Sequence, residues 1–171
     1  MSFFEMVQTD HLFIFPDETR QDVILEIMAK SLWSKGFVHE SYVNAVKDRE
    51  KHYPTGLELA DVHVAIPHTD ACHVKQQTIA LGVVKQGTKF HCMADASKTI
   101  SVKLIIMLAI EKSEAHLEML EEIMTFIQDA SRLEALSQAS TPVEFFQLSS
   151  QLTVTTTNFR RNSLWQRKKL W

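Results

Sequence analysis

Residues 62–69 read Val62-His63-Val64-Ala65-Ile66-Pro67-His68-Thr69. The apolar, β-branched run reads as a short buried strand. Pro67 ends the strand, because its ring fixes φ and removes a backbone donor. Upstream, Pro54-Thr55-Gly56 is a turn cluster closing a helix expected over Glu40–Lys51, with Tyr42, Val43 and Val46 on one side. Before it, Val23, Ile24, Ile27, Met28 and Leu32 recur at helical spacing, with Asp17 or Thr19 as cap and Gly36 as stop. His11 to Phe15 (HLFIF) reads as a first strand ended by Pro16. Downstream, Thr78–Val84 and Ile100–Ile110 are further β-rich runs. Helical spacing returns over Ser113–Asp129, with Leu117, Leu120, Ile123, Met124 and Ile127 as the expected apolar stripe. Thr141-Pro142-Val143-Glu144 joins a capping box to proline at the first helical position, so a last helix starts there. Strands and helices alternate without internal repeats, which predicts a layered α/β domain.

Composition agrees with a single domain. The chain has 171 residues, 45% of them apolar and 23% charged, with four glycines and four prolines. A domain of this length buries roughly 68–70% of its unfolded surface, enough for a core without staples. Two cysteines, Cys72 and Cys92, are too few for a disulfide framework, so a reducing compartment is expected. The N-terminal residues lack the basic-then-apolar order of a secretory signal, and the longest apolar run, Leu104–Ile110, cannot span a bilayer. A cytoplasmic location is the expectation. The net charge is −3, but residues 155–171 hold five cations (Arg160, Arg161, Arg167, Lys168 and Lys169) and no acid, leaving −8 on residues 1–154. An acidic body argues against nucleic acid as a partner, since duplex binding rests on cations neutralising phosphates. The division expected is a domain over 1–154 and a basic, solvated tail over 155–171, which holds two of the three tryptophans. Docking at a membrane surface or on a partner is the tail's alternative role.

His68 is the leading candidate for chemistry. It follows a strand directly, and ligands of open α/β sheets gather at the carboxyl ends of strands. Neutral imidazole is a competent nucleophile near pH 7. His116 lies in the first turn of the expected Ser113 helix, where the dipole disfavours imidazolium and leaves a neutral N–H donor. Arg49 ends the second helix just before the turn cluster and is suited to a phosphate or carboxylate. His63, Cys72, His73, His91 and Cys92 extend the set of metal-ligating types, but no CxxC or HExxH spacing occurs. Strand alternation turns His63 away from the core residues beside it. Walker A, dinucleotide-fingerprint and GxSxG patterns are also missing.

Arg49-Glu50, Pro54-Thr55-Gly56 and Val64-Ala65-Ile66-Pro67-His68-Thr69, followed by the Val102–Ile110 strand and Ala115-His116-Leu117, resemble the signature of the phosphotransferase-system Enzyme IIA family of the fructose–mannitol type. The likeness covers roughly residues 10–150. It implies a mixed, mainly parallel sheet between helices, which agrees with the reading above. It also implies that His68 takes a phosphoryl group from the phosphocarrier HPr and hands it to a cysteine of Enzyme IIB, which serves a membrane Enzyme IIC. His116 and Arg49 match the family's auxiliary histidine and arginine. No metal or cofactor is implied, because the donor is itself a phosphohistidine. The stretch from Arg49 to Val74 is more similar to galactitol-type proteins than to mannitol or fructose ones. A regulatory, nitrogen-related IIA acting through protein binding and a metal-binding module are the alternatives.

Overall fold

The computed structural model describes residues 3–111 and 115–149. The elements run α1 (Phe3–Met6), β1 (Val7–Phe15), α2 (Gln21–Ser34), α3 (Ser41–His52), β2 (Gly56–Leu57), β3 (His63–Ala65), β4 (Thr78–His91), β5 (Thr99–Ala109), α4 (Ala115–Ile127) and α5 (Ala130–Ser137). A last helix, α6, covers residues 142–149. The strands form one five-stranded sheet in the order β1-β4-β5-β3-β2. β1 pairs with β4 and β3 with β5 in parallel, while β4–β5 and β2–β3 are antiparallel. The sheet is therefore mixed, with parallel pairing in half of its contacts rather than most.

Alternation along the central strands builds two cores. Leu104, Ile106 and Leu108 of β5 join Ile79, Leu81 and Val83 of β4 against Met119, Ile123, Phe126, Leu133, Leu136 and Phe145. On the other face Ile105, Met107 and Ala109 meet Ile24, Leu25, Met28 and Leu32 of α2 and Tyr42 and Val46 of α3. Burial on both faces explains why these strands read as nearly continuous apolar runs.

Local signals behave unevenly. Gly36 takes φ +83°, the left-handed conformation of a helix stop, as expected. The α2 cap does not fall on Asp17 or Thr19: Arg20 occupies it, extended and without a side-chain cap bond. The capping box at α6 is present, with Glu144 N–H donating to Thr141 Oγ1 at 3.1 Å. Its carboxylate accepts from Ser140 N–H at 2.9 Å rather than from Thr141. The apolar stripe expected on α4 is corrected: Leu117 and Met124 are exposed, and Met119, Ile123, Phe126 and Ile127 face the core.

Gly56 holds the turn cluster against the β4–β5 hairpin. A Cβ there would lie 2.5 Å from the His91 carbonyl oxygen and 3.2 Å from Ile100 Cδ1. The Gly56 carbonyl also accepts from Met93 N–H at 2.7 Å, so the approach is backbone to backbone. Gly56→Ala is expected to destabilise the domain by about 1–3 kcal/mol through overpacking. Thermal unfolding measures this, and an unchanged midpoint would show that the hairpin yields freely.

Candidate functional site

β3 and β5 run in the same direction, so their carboxyl ends lie at one end of the sheet. His68 sits there, half-buried, bridged to Leu108 at the end of β5. Its Nδ1 lies 2.9 Å from the Ile66 carbonyl oxygen. A carbonyl only accepts, so Nδ1 carries the proton and Nε2 keeps its lone pair. Among the described residues nothing is bonded to Nε2.

The loop carrying His68 is tied on both sides to α3. Tyr42, fully buried, donates its hydroxyl to the Leu108 carbonyl at 2.7 Å. Leu108 N–H in turn donates to the Pro67 carbonyl at 2.9 Å. Burial holds the Tyr42 phenol well above its ordinary value, so it remains a donor throughout the physiological range. Two turns further along α3, Glu50 is also buried. Its carboxylate accepts Thr55 N–H and Thr55 Oγ1–H, both at 2.8 Å. Ile66 N–H then donates to Thr55, at 3.2 Å to the hydroxyl and 3.3 Å to the carbonyl. Burial pushes the Glu50 carboxyl up, and the Thr55 bonds oppose that rise.

Arg49 is carried by the last turn of α3. Its guanidinium lies 5.4 Å from the Tyr53 ring centroid, and Nη1 is 3.4 Å from Oδ1 of Asp70. The contact with Asp70 brings the cation to the loop that carries His68, two residues along. His116 is the second residue of α4 in the backbone, and its side chain falls outside the described residues. The tail expected over 155–171 also lies outside them.

Five of the six remaining histidines have local duties. His11 is buried with Nδ1 2.9 Å from Thr78 Oγ1, and burial lowers its basicity. His63, at the start of β3, accepts Leu59 N–H at Nδ1, 3.1 Å away. His73 Nδ1 is 2.8 Å from Ser41 Oγ. His52 and His91 each turn Nδ1 toward a carbonyl, as His68 does, so that bond alone does not single out a site. Position at the strand ends, bracketed by two α3 clamps, distinguishes His68. Cys72 is exposed and Cys92 buried. Among the described residues no group of three or more His, Cys, Asp or Glu side chains is placed to hold a metal ion.

Three groups that hold the His68 loop were not legible as such in the sequence. Glu50 and Thr55 lay inside the quoted motif without a task, and the Ile66 carbonyl has no side-chain signature. The one available signal was the run from Glu50 to Thr55, in which the Pro54 turn brings a threonine back onto a helix-end carboxylate.

Comparison with known proteins places the chain in a family. The EIIA 2 family of the phosphoenolpyruvate-dependent sugar phosphotransferase system matches residues 5–151. The galactitol-specific EIIA component of Escherichia coli (strain K12) is 31% identical over 118 residues, covering 68% of this chain and 77% of that one. Among solved structures, enzyme IIAMTL of Escherichia coli, in its complex with phosphorylated enzyme IIBMTL, superposes with a TM-score of 0.68 at 21% identity, covering 85% of this chain and 97% of that one. Nitrogen regulatory protein IIA-Ntr from Neisseria meningitidis gives 0.67 at 24%, with coverage of 85% and 97%. The chain belongs to the phosphotransferase-system EIIA 2 family. The single mixed-sheet domain between helices is the fold of its solved neighbours.

Proposed function

We propose that this protein is a cytoplasmic phosphocarrier of a sugar-transporting phosphotransferase system, with His68 as the phosphoryl acceptor. Nε2 of His68 attacks the phosphorus of phosphorylated HPr. The new P–Nε2 bond forms as the bond to the donor's histidine nitrogen breaks, and that nitrogen keeps the electron pair. The Nδ1 proton stays on the His68 ring, bonded to the Ile66 carbonyl, so the phosphorylated ring is an imidazolium. That makes it a good leaving group when a cysteine thiolate of Enzyme IIB attacks in turn. Arg49 and His116 supply charge compensation for the phosphoryl oxygens. Arg49 exchanges its long contact with Asp70 for the incoming dianion.

One observation carries this reading: the 2.9 Å Nδ1–carbonyl bond that leaves Nε2 of a strand-end histidine as the nucleophile, in a chain of this family. The 31% identity to a galactitol-specific component supports galactitol or a related sugar, and favours transport over a regulatory role. The test is incubation with phosphorylated HPr, mass measurement, and transfer to candidate Enzyme IIB proteins. Failure to gain phosphate overturns the reading.

His116→Ala is expected to accept phosphate at His68 still, but about 10²–10³ more slowly, the usual cost of one transition-state donor. His116→Gln, which keeps an N–H, should recover part of the rate. Wild-type transfer in both variants would reduce His116 to a helix-surface residue. Residues 155–171 are proposed to be dispensable for acceptance: a chain ending at 154 should melt within a few degrees of the full chain and accept phosphate at a similar rate. A large loss of either would show the tail packing onto the domain.

A further inference from the structure

The quoted motif contains a buried carboxylate that the transfer chemistry leaves unused. Glu50 is 4% exposed, and both of its oxygens are occupied by Thr55. Occupying them has a directional consequence. With a carboxylate as acceptor, the Thr55 hydroxyl must aim its proton at Glu50, which turns an oxygen lone pair toward Ile66 N–H. Ile66 is the residue whose carbonyl receives the His68 Nδ1 proton. On the far side Pro67 has no N–H to give, and its carbonyl is already taken by Leu108. Ile66 N–H is shared between the Thr55 hydroxyl at 3.2 Å and the Thr55 carbonyl at 3.3 Å, so the polar chain Glu50, Thr55, Ile66 supplies the side-chain half of the anchor on the residue that accepts the His68 proton.

We propose that Glu50, acting through Thr55, is a positioning residue that holds the Ile66 carbonyl against Nδ1 of His68 and so keeps Nε2 as the nucleophilic nitrogen. This rests on His68 being the phosphoryl acceptor. The alternative tautomer carries its proton on Nε2 and cannot attack phosphorus through that nitrogen. Neither Glu50 nor Thr55 touches the reacting atoms; their effect runs entirely through the imidazole tautomer. Glutamine at position 50 cannot substitute. With its oxygen on Thr55 N–H, its NH2 would donate to the hydroxyl, which then has no carboxylate to hold its proton, so the hydroxyl is free to rotate and the lone pair aimed at Ile66 N–H is no longer fixed.

The test uses the full chain labelled with ¹⁵N-histidine, unphosphorylated, as wild type, Glu50→Gln, Thr55→Val and Thr55→Ser. In the wild type the His68 ring should be held with its proton on Nδ1, and that proton should exchange slowly. A His68 ring protonated on Nε2, or a rapidly exchanging Nδ1 proton, overturns the proposal without any variant. In Glu50→Gln and Thr55→Val the His68 ring should shift toward the Nε2–H form, while His11 and His63 keep their wild-type signals. Phosphoryl acceptance should fall about tenfold or more, the worth of a hydrogen bond to a reacting group. Thr55→Ser, which keeps the hydroxyl, should restore both readouts. An unchanged His68 tautomer in folded Glu50→Gln and Thr55→Val overturns the proposal, even if transfer slows. The ring measurement needs no phosphoryl donor. If phosphate were found on another residue, the phosphocarrier reading would fail on its own while the tautomer result still judged the clamp.

Discussion

His68→Ala is expected to abolish phosphate incorporation from phosphorylated HPr while leaving the domain folded. The loss should be complete because no other described histidine combines a strand-end position with the α3 clamps. His73 is engaged with Ser41 and His63 accepts a backbone N–H. Truncation removes one half-buried ring and its bond to the Ile66 carbonyl, a net cost of about 1 kcal/mol in stability. Intact mass after incubation, with a thermal melt in parallel, reads both quantities. Phosphate on the folded variant would refute the assignment.

Arg49 should show the second largest effect. A phosphoryl group on His68 brings close to two negative charges, and a guanidinium can meet two of its oxygens at once. Arg49→Lys keeps the charge but loses the fork, and Arg49→Met loses both. Acceptance is expected to slow by about 10²-fold or more in Arg49→Met, with Arg49→Lys between it and wild type. The contrasting role is a cation that offsets the dipole at the end of α3, worth about 0.3–1 kcal/mol of stability and nothing in rate. Single-turnover kinetics beside a melt separate the two. Unchanged rates with a small stability loss would leave Arg49 with the dipole role alone.

The elements legible in the sequence were those whose burial pattern is simple. β5 is sheltered on both faces at its carboxyl half, so it reads as an apolar run. α2 and α3 bury one face each, and their spacing is plain. The second half of β4 was hidden: Lys85 to His91 is largely polar and interrupted by Gly87 at φ +71°, yet Thr88–His91 pairs with Thr99–Val102 in the outer part of a long hairpin. α5 was hidden for a different reason. Its buried positions include Arg132 and Ser137, so hydrophobic periodicity is broken although Asp129 caps it by accepting Arg132 N–H at 3.0 Å. Leu117 and Met124 misled because an apolar residue on a helix does not have to face the core.

The site divides along the same line. His68 and Arg49 could be singled out as candidates because strand-end and helix-end positions are marked by Pro67 and Pro54. What fixes the imidazole could not. A main-chain carbonyl leaves no trace in residue identity, and a glutamate on a polar helix end reads as solvated until the turn returns Thr55 to it.

Arrival of the phosphoryl group on Nε2 of His68 can be read from the ¹⁵N and ³¹P spectrum of the ¹⁵N-histidine-labelled chain after reaction with phosphorylated HPr. One phosphorus coupled to the His68 Nε2 is expected, with the proton retained on Nδ1. Phosphorus coupled to Nδ1 of His68, or to any other residue, would contradict this assignment.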